Sequence, residues 1–561
     1  MSEKESSPPE SSSGAVKLGK LAPLTRNLSC YVRPLDDDEH DEFRDAMLPA
    51  IVRVFNNMVE PEWTRPWTKK APVACTGSGF IASVSQRVII TNAHVVEFCA
   101  TLQVRKDGDP DKYEARILAV SDQADLALLT VEDPKFWVGA ISLTIADTPR
   151  IQQHLDVVGY PKGGEGVSIT SGVVSRIHWY PYSHSQESNL CVTVDAAINS
   201  GNSGGPAVSK GQVIGVAFQG ATSGQSIGYI IPAEIVKSVL KDYAVEYTAA
   251  AAATAAAAAA VATSSETSNS SSSSNSSGGG AVPASTTATV KGAIKLKGFA
   301  RFPASVQACE SKHLRLSLKL PEEVSGLLVK KVPLLSNLHD KLLPGDVMTS
   351  IAGLKITNDG KIKFEGAGPM DYRAAITRLL VGEPYKLTVY RSGSPVELDC
   401  IGENCPRLVP NTNHGSTPYC MFAGLVFAPI THQLKSSSDD SKWSSVKTGY
   451  ATDFSETLYD AEGKKHERAE QQIITIAAIL PHSLMLGYEF PAFCERPLLS
   501  IDGEDVSTIA EVHKMTEEAK GPYVTFLLAD HLTIVLPLAE SRAVTKELMV
   551  EHRIARAACL D

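Results

Sequence analysis

Three short segments hold the residues whose types and spacing could do chemistry together: TNAHVV at 91–96, ADLALL at 124–129 and NSGNSGGP at 199–206. Taken singly, each is ordinary. A histidine after a strand is usually structural, an aspartate before an apolar run often closes a turn, and a Gly/Asn/Ser run is often just a loop. Taken together, in the order His, Asp, Ser with wide gaps, they form a far more specific pattern, that of acyl transfer. A serine hydroxyl is a weak nucleophile at neutral pH, so a histidine must accept its proton, and a carboxylate must fix that imidazole's tautomer. Gly201 and Gly204 let the backbone turn sharply, so that the N–H groups of Gly201 and Ser203 can face a developing oxyanion.

The elements that must position these residues are short and apolar. GFIAS, RVIIT, ARILAV, DLALLTV, LDVVGY, SGVVSRI, QVIGVAF and IGYIIP are broken by Gly, Asn and Pro, a spacing that reads as an all-β barrel or sandwich. That regime stops near Tyr247, where an Ala-rich stretch gives way to Ser, Asn and Gly. The alanines favour helix, and the polar part cannot bury enough apolar surface to order itself. We read 247–290 as a low-complexity linker.

Two further segments share one grammar. In the first, strands are expected at 326–332 and 385–393, and helices at 333–342 and 371–380. The second echoes it with strands in 473–480 and 523–528 and a helix across VSTIAEVHKMTEEA. Two copies of a small α+β module are the simplest account. The final VTKELMVEHRIARAACL is an amphipathic helix candidate that packs on the second module.

Composition sets outer bounds. A chain of 561 residues with 43% apolar and 21% charged residues has room for several cores. Its net charge of −10 argues against a chain organised around nucleic acid. The ten cysteines form no CxxC pair, and a bridge between Cys75 and Cys99 is not expected. The histidines at 154, 178 and 184 lack metal-ligand spacing and read as solvent or loop residues. No metal or other cofactor is therefore expected. The N-terminal MSEKESSPPESSSG carries no secretory or transit pattern, so residues 1–40 are expected to be a disordered tail. No membrane span is expected, and the nucleus or cytoplasm is favoured, with chloroplast or mitochondrion left open.

The run TGSGFI, TNAHVV, DLALL, GNSGGP and IGYIIP, followed by two PDZ-like modules, resembles the HtrA/Deg family of ATP-independent serine proteases. The 105–129 segment, the VVGYPKGG loop and VEHRIARA most resemble the plant-type members with two PDZ domains. The resemblance implies a mainly β fold: a trypsin-like double β-barrel protease domain at 41–246, then α+β PDZ domains at 291–402 and 410–555. It implies His94 as general base, Asp125 as its orienting carboxylate and Ser203 as nucleophile, with Gly201, Asn202 and Ser203 as oxyanion hole. It places Ala217, Phe218, Gln219, Ile227 and Gly228 around the substrate pocket, where no buried acid is obvious, so cleavage after small or medium apolar residues is expected. Regulatory loops are expected at 161–170, 178–190, 196–202 and 219–226.

A PDZ module takes a peptide C-terminus as an added strand, with backbone N–H groups holding the carboxylate. KGFARFPASV at 297–306 occupies that place in the first module, although Pro303 removes one N–H. In the second module the loop is expected at Ala423, Gly424, Leu425 and Val426. The expected partners are unfolded or damaged proteins, peptides at the PDZ domains, and further copies of the chain in trimers or multiples of trimers. Trp63 and Trp67 are candidates either for such an interface or for capping the barrel. A chaperone or PDZ scaffold with proteolysis switched off is the rival reading.

Overall fold

The computed structural model describes residues 45–185, 187–220, 227–266, 292–364, 366–404, 407–410, 417–437, 467–489 and 492–560. The expected tail at 1–40, residues 267–290 of the linker and residues 221–226 of the fourth loop lie outside the described residues. Residues Met47–Asp561 form one compact unit.

The first half of the region expected at 41–246 contains β1 (Ile51–Met58), β2 (Val73–Ser83), β3 (Val88–Thr91), β4 (Cys99–Lys106), β5 (Tyr113–Ser121) and β6 (Leu126–Val131). These pair in the order β5-β4-β1-β2-β3-β6, and β6 returns to β5, which closes a ring of six strands. The LALLTV run of β6 is buried at every residue, Thr130 included, so its second face is spent on packing and not on solvent. Cys75 and Cys99 are free thiols on β2 and β4, with β1 running between them.

The second half is a closed barrel of β7 (His154–Gly159), β8 (Ser168–Pro181), β9 (Ser188–Val194), β10 (Pro206–Ser209), β11 (Gln212–Gly220) and β12 (Gly228–Pro232). All eight apolar runs named from the sequence fall on these twelve strands. His94 and Asp125 belong to the first barrel and Ser203 to the second, in the segment entering β10. After β12 a helix spans Ala233–Glu266, so the alanine part of the stretch read as linker continues a helix that begins on the barrel. The chain then returns as β13 (Ile294–Lys295), which pairs in parallel with β5 through Ala119 and Val120.

The first PDZ-like module is a sheet ordered Ser305–Ala308, Leu327–Lys331, Val347–Ile351, Pro384–Arg391 and Ser394–Ile401. Of the two helices expected there, the one at 371–380 is a short 3-10 segment, Tyr372–Ile376, capped by Asp371. The one at 333–342 is a series of turns. Glu403 accepts from the Ser336 hydroxyl at 2.6 Å and from the Asn337 N–H at 2.9 Å, which takes that N–H out of a helical ladder, while the N–H groups of Ser336, His339, Lys341 and Leu342 bond three or four residues back.

The second module has two four-stranded sheets packed around Phe427, Phe526, Leu425 and Val512. Its helix Ile509–Glu518 starts on a capping box between Thr508 and Glu511. The C-terminal helix packs on this module as expected, but it runs earlier, over Leu538–Glu551. Ala558 and Cys559 instead pair as a strand with Tyr419 and Cys420.

The peptide loop expected in this module is overturned. Leu425–Pro429 is an inner strand, paired on one edge with Tyr419–Phe422 and on the other with Ile474–Ile479, so the Ala423–Val426 segment leaves no edge for a peptide strand. The left-handed residue of its turn is Ala423, at φ 51°, with its N–H already donated to Thr545 Oγ1. Gly424 is required by crowding instead, since a Cβ there would lie 2.6 Å from Met485 Cγ. Trp63 is 2% exposed and packs to both sides: it meets Phe98, just before β4, edge to face at 5.9 Å, and it lies on Ala428, Leu434 and Ala477 of the second module. Trp67 meets Tyr419 edge to face at 5.8 Å.

Candidate functional site

His94 sits in the turn after β3, and buried asparagines hold that turn from two sides. Asn92 Nδ2 donates to the Asp125 backbone oxygen at 2.7 Å. Asn56 Nδ2 reaches across from β1 to the carbonyls of Val95 and Glu97 at 3.1 and 3.0 Å. Asp125 stands at the head of β6 in the left-handed region, φ 51°, and is 1% exposed. Its carboxylate accepts twice from one residue: His94 Nδ1 donates to Oδ2 at 2.7 Å, and the His94 backbone N–H donates to Oδ1 at 3.0 Å.

This pairing sets the imidazole's chemistry. Burial works against the imidazolium, but the Asp125 charge and hydrogen bond outweigh it, so His94 titrates above its ordinary 6.5. With Nδ1–H held by the carboxylate, Nε2 is the nitrogen that can accept a proton.

Ser203 Oγ donates to the Phe218 carbonyl oxygen at 3.3 Å, which directs its proton away from His94. The His94 ring is instead covered by His184, stacked at 3.8 Å between centroids and 10° between planes. His184 was expected to be a solvent or loop histidine; the structure places it on its loop and against the His94 ring. Loss of water from its ring face and the neighbouring His94 push it down to about 4, so it is uncharged at neutral pH. Its loop is tied to β11, where Gln219 Oε1 accepts from Ser183 N–H and Oγ–H at 3.1 and 2.6 Å.

His94, Asp125 and His184 bring potential metal-ligand atoms within 4.8 Å of one another. Both Asp125 oxygens are engaged by His94, however, and the lone pairs of two parallel stacked rings lie side by side and do not converge on one point. As it stands the cluster is laid out for proton handling.

The backbone around Ser203 is held by Ser78, which is fully buried. Ser78 Oγ donates to Gly201 O at 2.7 Å and accepts from Tyr160 N–H at 2.7 Å, and Ser78 N–H donates to Ser203 O at 2.8 Å. Thr91 Oγ1 closes the set on Ser78 O at 2.7 Å. Gly201 is left-handed at φ 103°, and a Cβ there would lie 2.4 Å from Tyr160 O. Ser200 O accepts from Lys162 N–H at 2.8 Å. In a trans peptide the C=O and N–H point opposite ways, so the Gly201 N–H faces away from that segment. Asn202 is buried, with its N–H donated to Asn199 O at 3.0 Å, so its backbone is occupied in the turn itself. Asp195 accepts from Val173 N–H at 2.5 Å and ties its loop to β8.

Around the expected pocket, Ala217 and Phe218 are buried and Ile227 is exposed. Phe218 packs on Tyr182 at 4.6 Å. Ile198, which sequence reasoning passed over, lies against Gly228, where a Cβ would be 2.7 Å from its side chain. Also missed were Ser78, Asn56, Asn92 and His184. Ser78 and Asn92 lie inside the quoted motifs and His184 inside the loop expected at 178–190, whereas nothing in the sequence around Asn56 marks it.

Among the described residues no helix is long and apolar enough to cross a membrane. Residues 77–216 match the trypsin-like peptidase domain family and residues 409–561 the PDZ domain family. The chain is 30% identical to "Putative protease Do-like 3, mitochondrial" of Arabidopsis thaliana over 92% of its own length and 80% of that protein. It is 28% identical to "Protease Do-like 2, chloroplastic" of the same plant, over 94% and 77%. Among solved structures, "HtrA-type protease AlgW with decapeptide" aligns with 66% of this chain and 99% of that one, at 19% identity and a TM-score of 0.44. The nuclear or cytoplasmic placement expected from the N-terminus gains no support from relatives named as mitochondrial and chloroplastic.

Proposed function

This chain belongs to the Do-like serine proteases of the HtrA/Deg family and is a serine endopeptidase, and from that membership we propose that His94, Asp125 and Ser203 are its catalytic triad. In this reading Ser203 Oγ turns from Phe218 O to His94 Nε2 as substrate displaces the His184 ring. Oγ attacks the scissile carbonyl while its proton passes to Nε2. The Gly201 and Ser203 N–H groups receive the oxyanion, and the imidazolium then gives its proton to the leaving amine. Water repeats the cycle on the acyl-enzyme. The observation that carries the proposal is the double hydrogen bond from His94 to the buried Asp125, which leaves Nε2 as the basic nitrogen.

We also propose ATP-independent degradation of unfolded or damaged proteins, control by the PDZ domains, and assembly of several copies. Ile198 narrowing the space at Gly228 supports cleavage after small or medium apolar residues. The test is digestion of an unfolded model protein, without nucleotide, by wild type and Ser203→Ala, with particle size recorded for both. Small peptides from wild type only, cut after Ala, Val or similar residues, are the expected result. Cleavage by Ser203→Ala, or cuts mainly after Lys and Arg, would overturn it.

A further inference from the structure

The first PDZ-like module begins at 291, and its segment 297–300 is the place where successive backbone N–H groups would hold a peptide's terminal carboxylate. Gly298 is left-handed, φ 81°, the conformation that turns neighbouring N–H groups into an anion-binding nest. Those N–H groups are not vacant. Gly298 N–H donates to Asp242 Oδ2 at 2.9 Å, and Lys297 N–H points at the same carboxylate. Phe299 N–H donates to Gln123 Oε1 at 2.8 Å, whereas Ala300 N–H is held within the module by Leu379 O at 2.8 Å. Asp242 comes from the helix Ala233–Glu266 and Gln123 from the turn before Asp125, so both acceptors belong to the protease region.

We propose that Asp242 is a ligand in cis for the first PDZ module: its side-chain carboxylate fills the nest that would otherwise take the C-terminal carboxylate of a peptide. The inference rests on the PDZ reading of the first module and not on the protease chemistry.

The surroundings fit a held but replaceable occupant. Parallel pairing of β13 with β5 brings the segment to the barrel, and Lys297–Glu246 at 3.1 Å and Arg378–Glu234 at 2.8 Å clamp it there. Lys241 and Glu383 form a further ion pair across the same contact. Asp242 itself is poorly served. It is 2% exposed and its Oδ1 is buried without a hydrogen-bond partner. Burial holds its carboxyl above the ordinary 3.8, with the Gly298 and Lys297 N–H groups only partly compensating. An acid buried with one oxygen unpaired is a weak ligand, and a peptide carboxylate brought in with its own added strand can compete with it.

The experiment uses the full chain carrying Ser203→Ala, so that probes are not cut, with and without Asp242→Ala. The probe is a fluorescein-labelled decapeptide pool ending in Val, as free acid and as amide, read by anisotropy, with hydrogen exchange followed over 292–303. Asp242→Ala should tighten binding of the acid pool by about tenfold or more, leave the amide unchanged, and speed exchange in that segment until the acid pool is added. Asp242→Asn, which keeps shape and one acceptor oxygen, should give an intermediate gain and serves alone should the alanine variant not fold. Equal acid binding with and without the Asp242 change, or an equal gain for acid and amide, would overturn the proposal.

Discussion

On the proposed triad, Asp125→Asn is the substitution whose outcome the structure constrains most tightly. The backbone is safe: Asn tolerates the left-handed region that Asp125 occupies, and the bond from Asn92 goes to the backbone oxygen of residue 125. The side chain has two places to fill, one facing the His94 backbone N–H at 3.0 Å and one facing Nδ1 at 2.7 Å. Only an acceptor can face the backbone N–H, so the amide oxygen takes that place and the NH₂ group faces Nδ1. Nδ1 must then accept, the ring proton moves to Nε2, and the nitrogen needed for Ser203 can no longer take its proton. For a triad whose imidazole is held in the wrong tautomer, kcat falls about 10⁴-fold, close to 5.4 kcal/mol at 1.36 kcal/mol per factor of ten.

The pH profile should move as well. Wild-type kcat/KM should fall as pH drops through a His94 value held above 6.5 by Asp125. Removing the carboxylate leaves burial as the main influence, which lowers that value, so the variant's inflection should lie below 6.5. The assay is kcat and KM on an unfolded protein across pH, with thermal unfolding as a control. A loss of less than about tenfold in kcat, with the inflection unmoved, would refute the reasoning.

Two further substitutions probe other parts of the fold. Gly201→Ala places a Cβ 2.4 Å from Tyr160 O at a φ of 103°, so the segment must shift; kcat should fall about 10²–10³-fold with the His94 titration unchanged, and near-normal kcat would remove Gly201 N–H from the proposed oxyanion hole. Trp63→Ala empties the contact with Ala428, Leu434 and Ala477 and should cost about 3–5 kcal/mol, seen as faster hydrogen exchange across 419–437; unchanged exchange would count against this loop as the anchor of the second module.

What was legible in the sequence depended on how local its cause was. Eight of the twelve barrel strands announce themselves because each alternates or fills with apolar residues between Gly, Asn and Pro. The triad candidates could be found because His94, Asp125 and Ser203 sit in segments whose neighbours also carry constraints. Asn56 gave no such signal: it acts across a strand pairing on carbonyls some forty positions away, as the contact with Glu97 shows. His184 reaches His94 because Gln219 pins its loop, a tertiary cause with no local trace. The helix expected at 333–342 is interrupted for the same reason, since Glu403 drew off the Asn337 N–H that would have made a helical bond. In the second module a good-looking glycine loop proved to be a hairpin turn inside the sheet, because period and composition do not reveal whether a strand is an edge.

The return of the chain as β13 changes what the Ser- and Ala-rich insertion can do mechanically. Its near side is the helix Ala233–Glu266, which starts from the second barrel, and its far side is a strand added to the first. A segment fastened at both ends to one body is a handle and not a leash. Cutting it would yield two polypeptides that still travel together through the β13–β5 pairing and the ion pairs around it, and the halves expressed separately could reassemble on the same surface. Lengthening it is also cheap, since doubling a closed loop costs only about 0.6 kcal/mol. Tolerance of repeat expansion at this one place is thus a property of the anchors, whatever the composition of the insert.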